Sequence, residues 1–314
     1  MRNPDITIIV PNFNCLQFLP RCFDSIKAQQ KVHYEVLFVD DGSTDGSLEF
    51  AHRAALQWPQ LRIVQQNRQG PGAARNFAAQ LAQAPLLAFL DADDWWAANK
   101  LAEQVQFHQQ SAQVGLSFTD YDHVAERTGQ NVIRCFDYWP EFQQHLREQP
   151  RYSAGFERLN DAEAMLLAEN VIGTSSVVVS KAAFMAVHGF DTTLPSASDW
   201  DLWLKISKIA DVGFSRDCLM YYLQRTGSVS SNYRRRFQAV DTIMQRYITD
   251  ISDTYPDKAR SAKAAHAIAR HEMWQGEQQF AKALFASLTA LWFKPSARQI
   301  KTAMRDFIAM TSPH

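Results

Sequence analysis

Apolar and polar positions alternate in blocks along the first part of the chain. Ile6-Thr7-Ile8-Ile9-Val10 is a β-branched run stopped by Pro11-Asn12, the pattern of a strand. Leu16, Leu19, Cys22, Phe23 and Ile26 follow at three- and four-residue steps, which predicts a helix with one buried face. The order then repeats. Glu35 to Val39 predicts a second strand, broken by Asp40-Asp41-Gly42-Ser43. Thr44 or Asp45 is the candidate cap of a helix carrying Leu48, Ala51 and Ala55 on one side. Leu61 to Val64 is a third strand. Gly70-Pro71-Gly72 turns the chain into an Ala-rich helix from about Ala73 to Ala82, and Leu86 to Leu90 is a fourth strand.

Strands alternating with helices through short connections predict an α/β fold with a mainly parallel sheet flanked by helices. Ligands of such sheets bind outside the carboxyl ends of the strands. Here those ends are Pro11-Asn12, Asp40-Asp41 and Asp91-Ala92-Asp93, and all three are expected to face one crevice. From Tyr121 to Glu169 the pattern is irregular and reads as a long excursion. A strand at Val177 to Val179, a helix from Lys181, a turn at Gly189-Phe190-Asp191 and a helix from near Ser198 come next. Beyond Ser231 only helical patterns remain: Phe237 to Ile251, Ala262 to Phe293, and a last helix after Lys294-Pro295-Ser296.

Hydrophobic residues make up 46% of the 314, enough for a sizeable core and too many for a disordered chain. The net charge of −1 is uneven. Residues 232–314 hold 13 Lys/Arg against 7 Asp/Glu, a net of +6, which leaves −7 on the first 231. A basic tail on an acidic body suits an anionic partner, with membrane phospholipid one candidate and a merely solvated helical face the plainer alternative. No nucleic-acid partner is expected, and the oligomeric state stays open. Four cysteines without CxxC spacing fit a reducing compartment. Met1-Arg2-Asn3-Pro4-Asp5 is not the start of a signal peptide. The apolar stretch from Ala283 to Phe293 is eleven residues, too short to span a bilayer. The expected location is cytoplasmic, either free or peripheral on the inner face of the membrane.

Candidate chemistry concentrates at Asp91-Ala92-Asp93-Asp94, directly after an apolar strand. Clustered carboxylates repel each other, and a hard divalent cation with phosphate oxygens offsets that cost. Asp94 alone is explained as the cap of a helix beginning around Trp95. The Asp40-Asp41-Gly42-Ser43 segment suits either an Asx-type turn or a ribose contact in a dinucleotide fold. The latter requires a GxGxxG after the first strand, and Pro11-Asn12-Phe13-Asn14 contains no glycine. No GxxxxGK[ST] is present either, which excludes a P-loop NTPase. Asp199 lies at a helix start, where a carboxylate is favoured for electrostatic reasons alone. Asp199 and Asp201 point to different helix faces, so only one serves a given site. Arg225, in the polar segment Gln224 to Ser230, is either a diphosphate clamp or plain surface.

Ile8-Ile9-Val10-Pro11-Asn12-Phe13-Asn14, Val39-Asp40-Asp41-Gly42-Ser43-Thr44-Asp45, Asn67 through Gly70 with Ala74-Arg75-Asn76, and Phe89-Leu90-Asp91-Ala92-Asp93-Asp94 occur in this order. Gly189-Phe190-Asp191 and Asp199-Trp200-Asp201-Leu202-Trp203-Leu204 follow. The ordered set resembles the family 2 glycosyltransferases of GT-A fold, over about residues 5 to 231. The resemblance implies a GT-A domain over residues 1–231, with a nucleotide-sugar half to about 120 and an acceptor half from about 121. Residues 232–314 would be a C-terminal helical region.

It further implies an inverting transfer from a nucleotide diphosphate sugar, a UDP-sugar first, to a glycan or lipid-linked acceptor in bacterial surface polysaccharide synthesis. Pro11, Asn12, Asp41, Arg75, Asp91 and Arg225 would form the nucleotide side, with Asp41 accepting from the uracil ring. Asp93, with Asp91, would hold Mn²⁺ or Mg²⁺, and Asp199 would be the catalytic base. One departure stands out: Ser198 precedes Asp199 where the family commonly has Glu. The competing readings are nucleotidyl transfer, which usually needs a Gly-rich basic loop that Pro11-Asn12-Phe13-Asn14 lacks, and a non-catalytic nucleotide-sugar or glycan-binding relative.

Overall fold

The structure, a computed structural model, describes residues 3–149, 155–225 and 232–311. The chain divides into two compact units. The first comprises Met1–Ala162, Val171–Thr192 and Leu202–Arg225, and the second Glu163–Asn170, Thr193–Asp201 and Thr226–His314. The helical tail therefore shares its unit with two short pieces of the α/β part of the sequence.

The first unit is built on β1 (Ile6–Asn12), β2 (Tyr34–Asp40), β3 (Leu61–Gln65) and β4 (Leu86–Phe89). They pair in parallel in the order β3-β2-β1-β4, as the alternating pattern predicts. The connecting helices are α1 (Leu19–Lys27), α2 (Ser47–Ala55) and α3 (Pro71–Leu81). Ile6, Ile8, Ile9, Val10 and Val36 to Val39 are fully buried, which is why these strands read as continuous apolar runs. Neither candidate cap of α2 is its N-cap. Gly46 takes that place at φ +92°, while Asp45 accepts the Ser47 amide and hydroxyl at 3.0 and 2.6 Å. Pro71 opens α3, two residues before the expected start, because proline suits a first turn that needs no amide donor.

The predicted helix at Trp95 is replaced by a strand. Trp95–Trp96 forms β5, and the helix α4 starts only at Lys100 and runs to Gln110. Next come β6 (Val114–Ala125), β7 (Asn131–Arg134), α5 (Cys135–Tyr138), α6 (Pro140–Glu148), β8 (Phe156–Arg158) and α7 (Ala162–Ala168). The apparent excursion thus holds regular elements. After a 3₁₀ turn at Thr174–Ser176 come β9 (Val178–Ser180), α8 (Lys181–Ala186), α9 (Ser198–Ser207) and β10 (Asp211–Gln224). Among the described residues the sheet has ten strands in the order β3-β2-β1-β4-β9-β6-β10-β5, with β7 beside β6 and β8 beside β10. Strand β9 runs antiparallel to both β4 and β6, so the sheet is mixed.

In the second unit α10 (Tyr233–Thr254), α11 (Pro256–Gly276), α12 (Phe280–Phe293) and α13 (Ala297–Thr311) follow in turn. The single helix expected from Ala262 to Phe293 is broken. Gln278 adopts φ +58°, a left-handed residue that ends α11 and lets the chain reverse.

Candidate functional site

The first unit brings the ends of β1, β2 and β4 together. Asn12 pairs in register with Asp40, and the Asp41 amide donates to the Asn12 carbonyl at 2.8 Å. Leu90 extends the pairing of β4 by donating to the Ile9 carbonyl at 3.0 Å. The side chains at the β1 and β2 ends divide into braces and a binding edge. Asn12 Nδ2 donates to Asp40 Oδ1 at 3.0 Å and to Ser43 Oγ at 2.9 Å, and Asp40 Oδ2 accepts the Ser43 amide at 3.0 Å. Asp40 therefore shapes the turn. Asp41 Oδ1 accepts from the Gln69 amide at 2.8 Å and Gln66 Nε2 at 2.9 Å, and Oδ2 accepts from the Gly70 amide at 2.8 Å. Three donors fix the carboxylate, and a carboxylate has about four lone-pair sites, so one on Oδ2 is left for a further donor.

The acidic cluster is also sorted by environment. Asp94 is 1% exposed. Its Oδ2 accepts from Ser175 Oγ at 2.6 Å and its Oδ1 from the Leu223 amide at 3.0 Å. It is a buried clamp between the β4 end, the 3₁₀ turn and β10, not a helix cap. Burial, with Asp93 and Asp91 beside it, pushes its proton affinity well above the usual carboxylate range. Asp91 and Asp93 keep partial access, with side chains 32% and 19% exposed.

Each has an arginine. The buried Arg75 pairs through Nη2 with Asp91 Oδ1, and its guanidinium lies 5.3 Å from the Phe190 ring centre. Arg225 Nε donates to Asp93 Oδ2 at 2.6 Å. Burial and Asp91 raise the pKa of Asp93, and Arg225 opposes the shift. Burial, followed by Asp93, lifts the neighbouring Cys15 thiol to about 11, so it stays a protonated wall residue. The other residues of the polar segment after Arg225 lie outside the described residues.

No group of three or more His, Cys, Asp or Glu among the described residues is placed to hold a metal by itself. The donor set is two accessible carboxylates, Asp91 and Asp93. That set fits a hard divalent cation completing its shell with diphosphate oxygens and water, and it does not make a closed protein cage.

The acceptor-side motif splits. Asn76 Nδ2 donates to the Phe190 carbonyl at 2.8 Å and its Oδ1 accepts the Phe190 amide at 2.9 Å. The Gly189-Phe190 turn is thereby fixed to α3. Asp199 lies in the first turn of α9, half-buried, within the second unit, and its Oδ1 accepts the Trp200 amide at 2.9 Å. Asp201 is fully buried in the same unit, where it accepts from Arg246 Nη1 at 2.8 Å and the Tyr247 hydroxyl at 3.0 Å. The two carboxylates face different ways, as their spacing predicts, and Asp201 is taken up by packing on α10.

The family model for glycosyl transferase family 2 matches residues 7–165, about half of the chain. The chain belongs to glycosyltransferase family 2. This family 2 enzyme is 26% identical over 231 residues to TuaG, a Bacillus subtilis glycosyltransferase named for teichuronic acid biosynthesis, spanning 73% of the chain and 82% of TuaG. It is 26% identical over 208 residues to an Escherichia coli chondroitin synthase, covering 66% of the chain but only 27% of that longer protein. Among solved structures it is similar to S. aureus TarS in complex with UDP-GlcNAc, with a TM-score of 0.61, 16% identity and coverage of 96% and 89% of the two chains. It is also similar to the mannosyltransferase PcManGT from Pyrobaculum calidifontis in complex with GDP-Man and Mn²⁺, with a TM-score of 0.59, 20% identity and coverage of 98% and 88%. These likenesses place the fold as GT-A.

Ser175 escapes a sequence reading of this glycosyltransferase. It accepts the Asp91 amide at 3.0 Å while donating to Asp94, so it braces the acidic loop from 84 residues away. A hydroxyl in a polar run carries no periodic signal. Arg21 escapes likewise. Its guanidinium lies 3.5 Å from the centre of the Trp95 ring, which in turn stacks on Tyr221.

Proposed function

We propose that this enzyme is an inverting, metal-dependent glycosyltransferase that moves a sugar from a UDP-sugar to a hydroxyl of a glycan or lipid-linked acceptor in bacterial surface polysaccharide synthesis. The observation that carries the reading is the pairing of accessible Asp91 and Asp93 with Arg75 and Arg225, together with the preorganised Asp41 carboxylate, the three carboxylates following the ends of the parallel strands β2 and β4. Asp41 would accept the uracil N–H on its remaining lone pair, with Pro11 and Asn12 lining the base pocket. Asp91 would orient the ribose and share a Mn²⁺ or Mg²⁺ ion with Asp93. That ion would supply charge stabilisation to the departing diphosphate. Arg225 keeps Nη donors for a diphosphate oxygen while Nε holds Asp93, and Arg75 fixes the rotamer of Asp91. Asp199 would take the proton of the acceptor hydroxyl as it attacks the anomeric carbon from the face opposite the leaving group.

Two measurements test the reading. Thermal-shift titration of the purified chain with nucleoside diphosphates, with and without Mn²⁺, is expected to show stabilisation selective for UDP and dependent on the ion. No response to any nucleoside diphosphate overturns the donor site, and a response to GDP alone reassigns the base. For Asp199→Asn, donor stabilisation is expected to persist while sugar transfer falls by about two to four orders of magnitude. Unchanged transfer would remove Asp199 from its role.

A further inference from the structure

The α12–α13 hairpin is apolar where it meets water. Helix α12 has one charged residue, Lys282. Ala283, Ala286, Ser287 and Ala290 form its buried face. On the opposite side Phe285, Leu288 and Trp292 are 70%, 52% and 81% exposed. A helix apolar on both sides belongs in an apolar surrounding. Helix α13 repeats the arrangement with a charged edge. Ile300 and Met304 are exposed at 50% and 61%, and Arg298, Lys301 and Arg305 lie along the neighbouring edge of the same helix. The only acidic residue between 280 and 311 is Asp306, and it is fully buried, bonded to Ser287 Oγ at 2.6 Å.

A second feature adjoins the stripe. Arg270, Trp274, Ala281, Lys282 and Phe285 line an open groove of about 410 Å³. Lys282 Nζ lies 4.4 Å from the Trp274 ring centre and the Arg270 guanidinium 5.4 Å from that of Phe237, with Asp241 3.9 Å from Arg270. Two cations thus sit beside Phe285, at the edge of the apolar stripe.

We infer that α12 and α13 dock on an anionic phospholipid surface, with the Phe285–Trp292 stripe in the headgroup–acyl boundary and the Arg and Lys residues on lipid phosphates. The combination of a large apolar face, interfacial tryptophan and a cationic flank is that of an in-plane helix. No described helix is long and apolar enough to cross a membrane, so the hairpin lies on the surface. A second copy of this chain is a poorer occupant. A two-fold contact would set this cationic flank against its own copy, with no exposed carboxylate between 280 and 311 to neutralise it.

Flotation of the full chain with phosphatidylcholine vesicles, with and without phosphatidylglycerol, tests the inference. Binding is expected only with phosphatidylglycerol and should weaken with salt. Arg298→Glu/Lys301→Glu/Arg305→Glu should weaken it about a hundredfold or more, at about 1 kcal/mol for each basic residue lost near the surface. Phe285→Ser/Trp292→Ser should abolish it, while the thermal midpoint and the response to nucleoside diphosphates stay unchanged. Those controls separate failure of this inference from failure of the donor-site reading. Absence of vesicle binding overturns it, as does equal binding to pure phosphatidylcholine. A lipid-free dimer that dissociates in the Phe285→Ser/Trp292→Ser variant, without vesicle binding, assigns the face to a second copy.

Discussion

Arg225 donates its Nε to Asp93 at 2.6 Å across a separation of 132 residues, so the residue immediately after β10 neutralises the loop after β4. The contact is partly buried, with 30% of the Arg225 side chain exposed, so screening reduces but does not remove its worth. It also opposes the burial and Asp91 repulsion that raise the proton affinity of Asp93. Without it Asp93 would hold its proton more tightly, and a bound diphosphate would lose a guanidinium partner. Arg225→Ala is expected to raise the KM for the nucleotide sugar about tenfold, the worth of one partly screened charge-assisted bond. Arg225→Lys should recover only part of it, since a point charge cannot serve Asp93 and a phosphate from two fixed edges. Steady-state kinetics with varied donor decide the matter. An unchanged KM in both variants would reduce the pair to packing.

Asp94 answers to a different assay. Its two oxygens hold the Leu223 amide and the Ser175 hydroxyl in a site with almost no solvent access. Asp94→Ala leaves a buried amide without its acceptor, a loss of about 2–4 kcal/mol once the small cavity is included. Urea unfolding should show that drop. Because Leu223 lies two residues before Arg225, the same variant should also raise the donor KM, in contrast to a substitution that only lowers stability.

What the amino-acid sequence discloses, and what it conceals, follows from burial. Strands β1, β2 and β4 are apolar on both faces, so their ends, with Asp41, Asp91 and Asp93, can be located by pattern alone. Strands β6 and β10 could not be. Ser117, Thr119 and Asp120 are buried in β6 and Ser215 in β10, and the partners of Ser117 and Asp120, Gln104 and Arg134, stand on other elements that no local pattern announces. β10 also shifts register between Ser215 and Met220, which erases strict alternation. Asp94 misled for a related reason. An Asp before two tryptophans looks like a helix cap, but its ligands are 81 and 129 residues away. Trp95 and Trp96 are β-formers, and β10 supplies the edge for them to pair with.

Gly189 shows how a motif glycine becomes a packing requirement. It adopts φ +65°, and a Cβ there would meet Asn76 Oδ1 at 2.5 Å and Phe184 at 2.8 Å. Asn76 has no room to yield, since both ends of its amide are bonded to Phe190. Gly189→Ala therefore combines left-handed strain with a clash, and a loss of about 2–4 kcal/mol is expected. Asn76→Ala should cost about 1–3 kcal/mol, by leaving the Phe190 amide and carbonyl unbonded. The two losses should be less than additive in the double variant, because each disturbs the same turn. Additive thermal or urea data would contradict the coupling.

The helix α4 sets three polar side chains, Lys100, Gln104 and His108, at four-residue steps on its buried face. His108 Nε2 lies 3.0 Å from Ser117 Oγ on β6, and burial lowers the imidazole pKa to about 4. In the unfolded chain the same group titrates near 6.5. Above that value neither state binds the proton, and the histidine adds no pH dependence. Between about 6.5 and 4 the unfolded chain takes up a proton that the native state refuses, so stability must fall as the pH falls. The loss levels off below about 4, at about 3 kcal/mol for a difference of roughly 2.5 units. His108→Gln keeps a polar partner for Ser117 without the titration. Urea midpoints from pH 7.5 to 4.5 are expected to decline more steeply for the unmodified chain than for the variant. Parallel declines would mean that His108 is protonated inside the fold, with Ser117 Oγ as its acceptor.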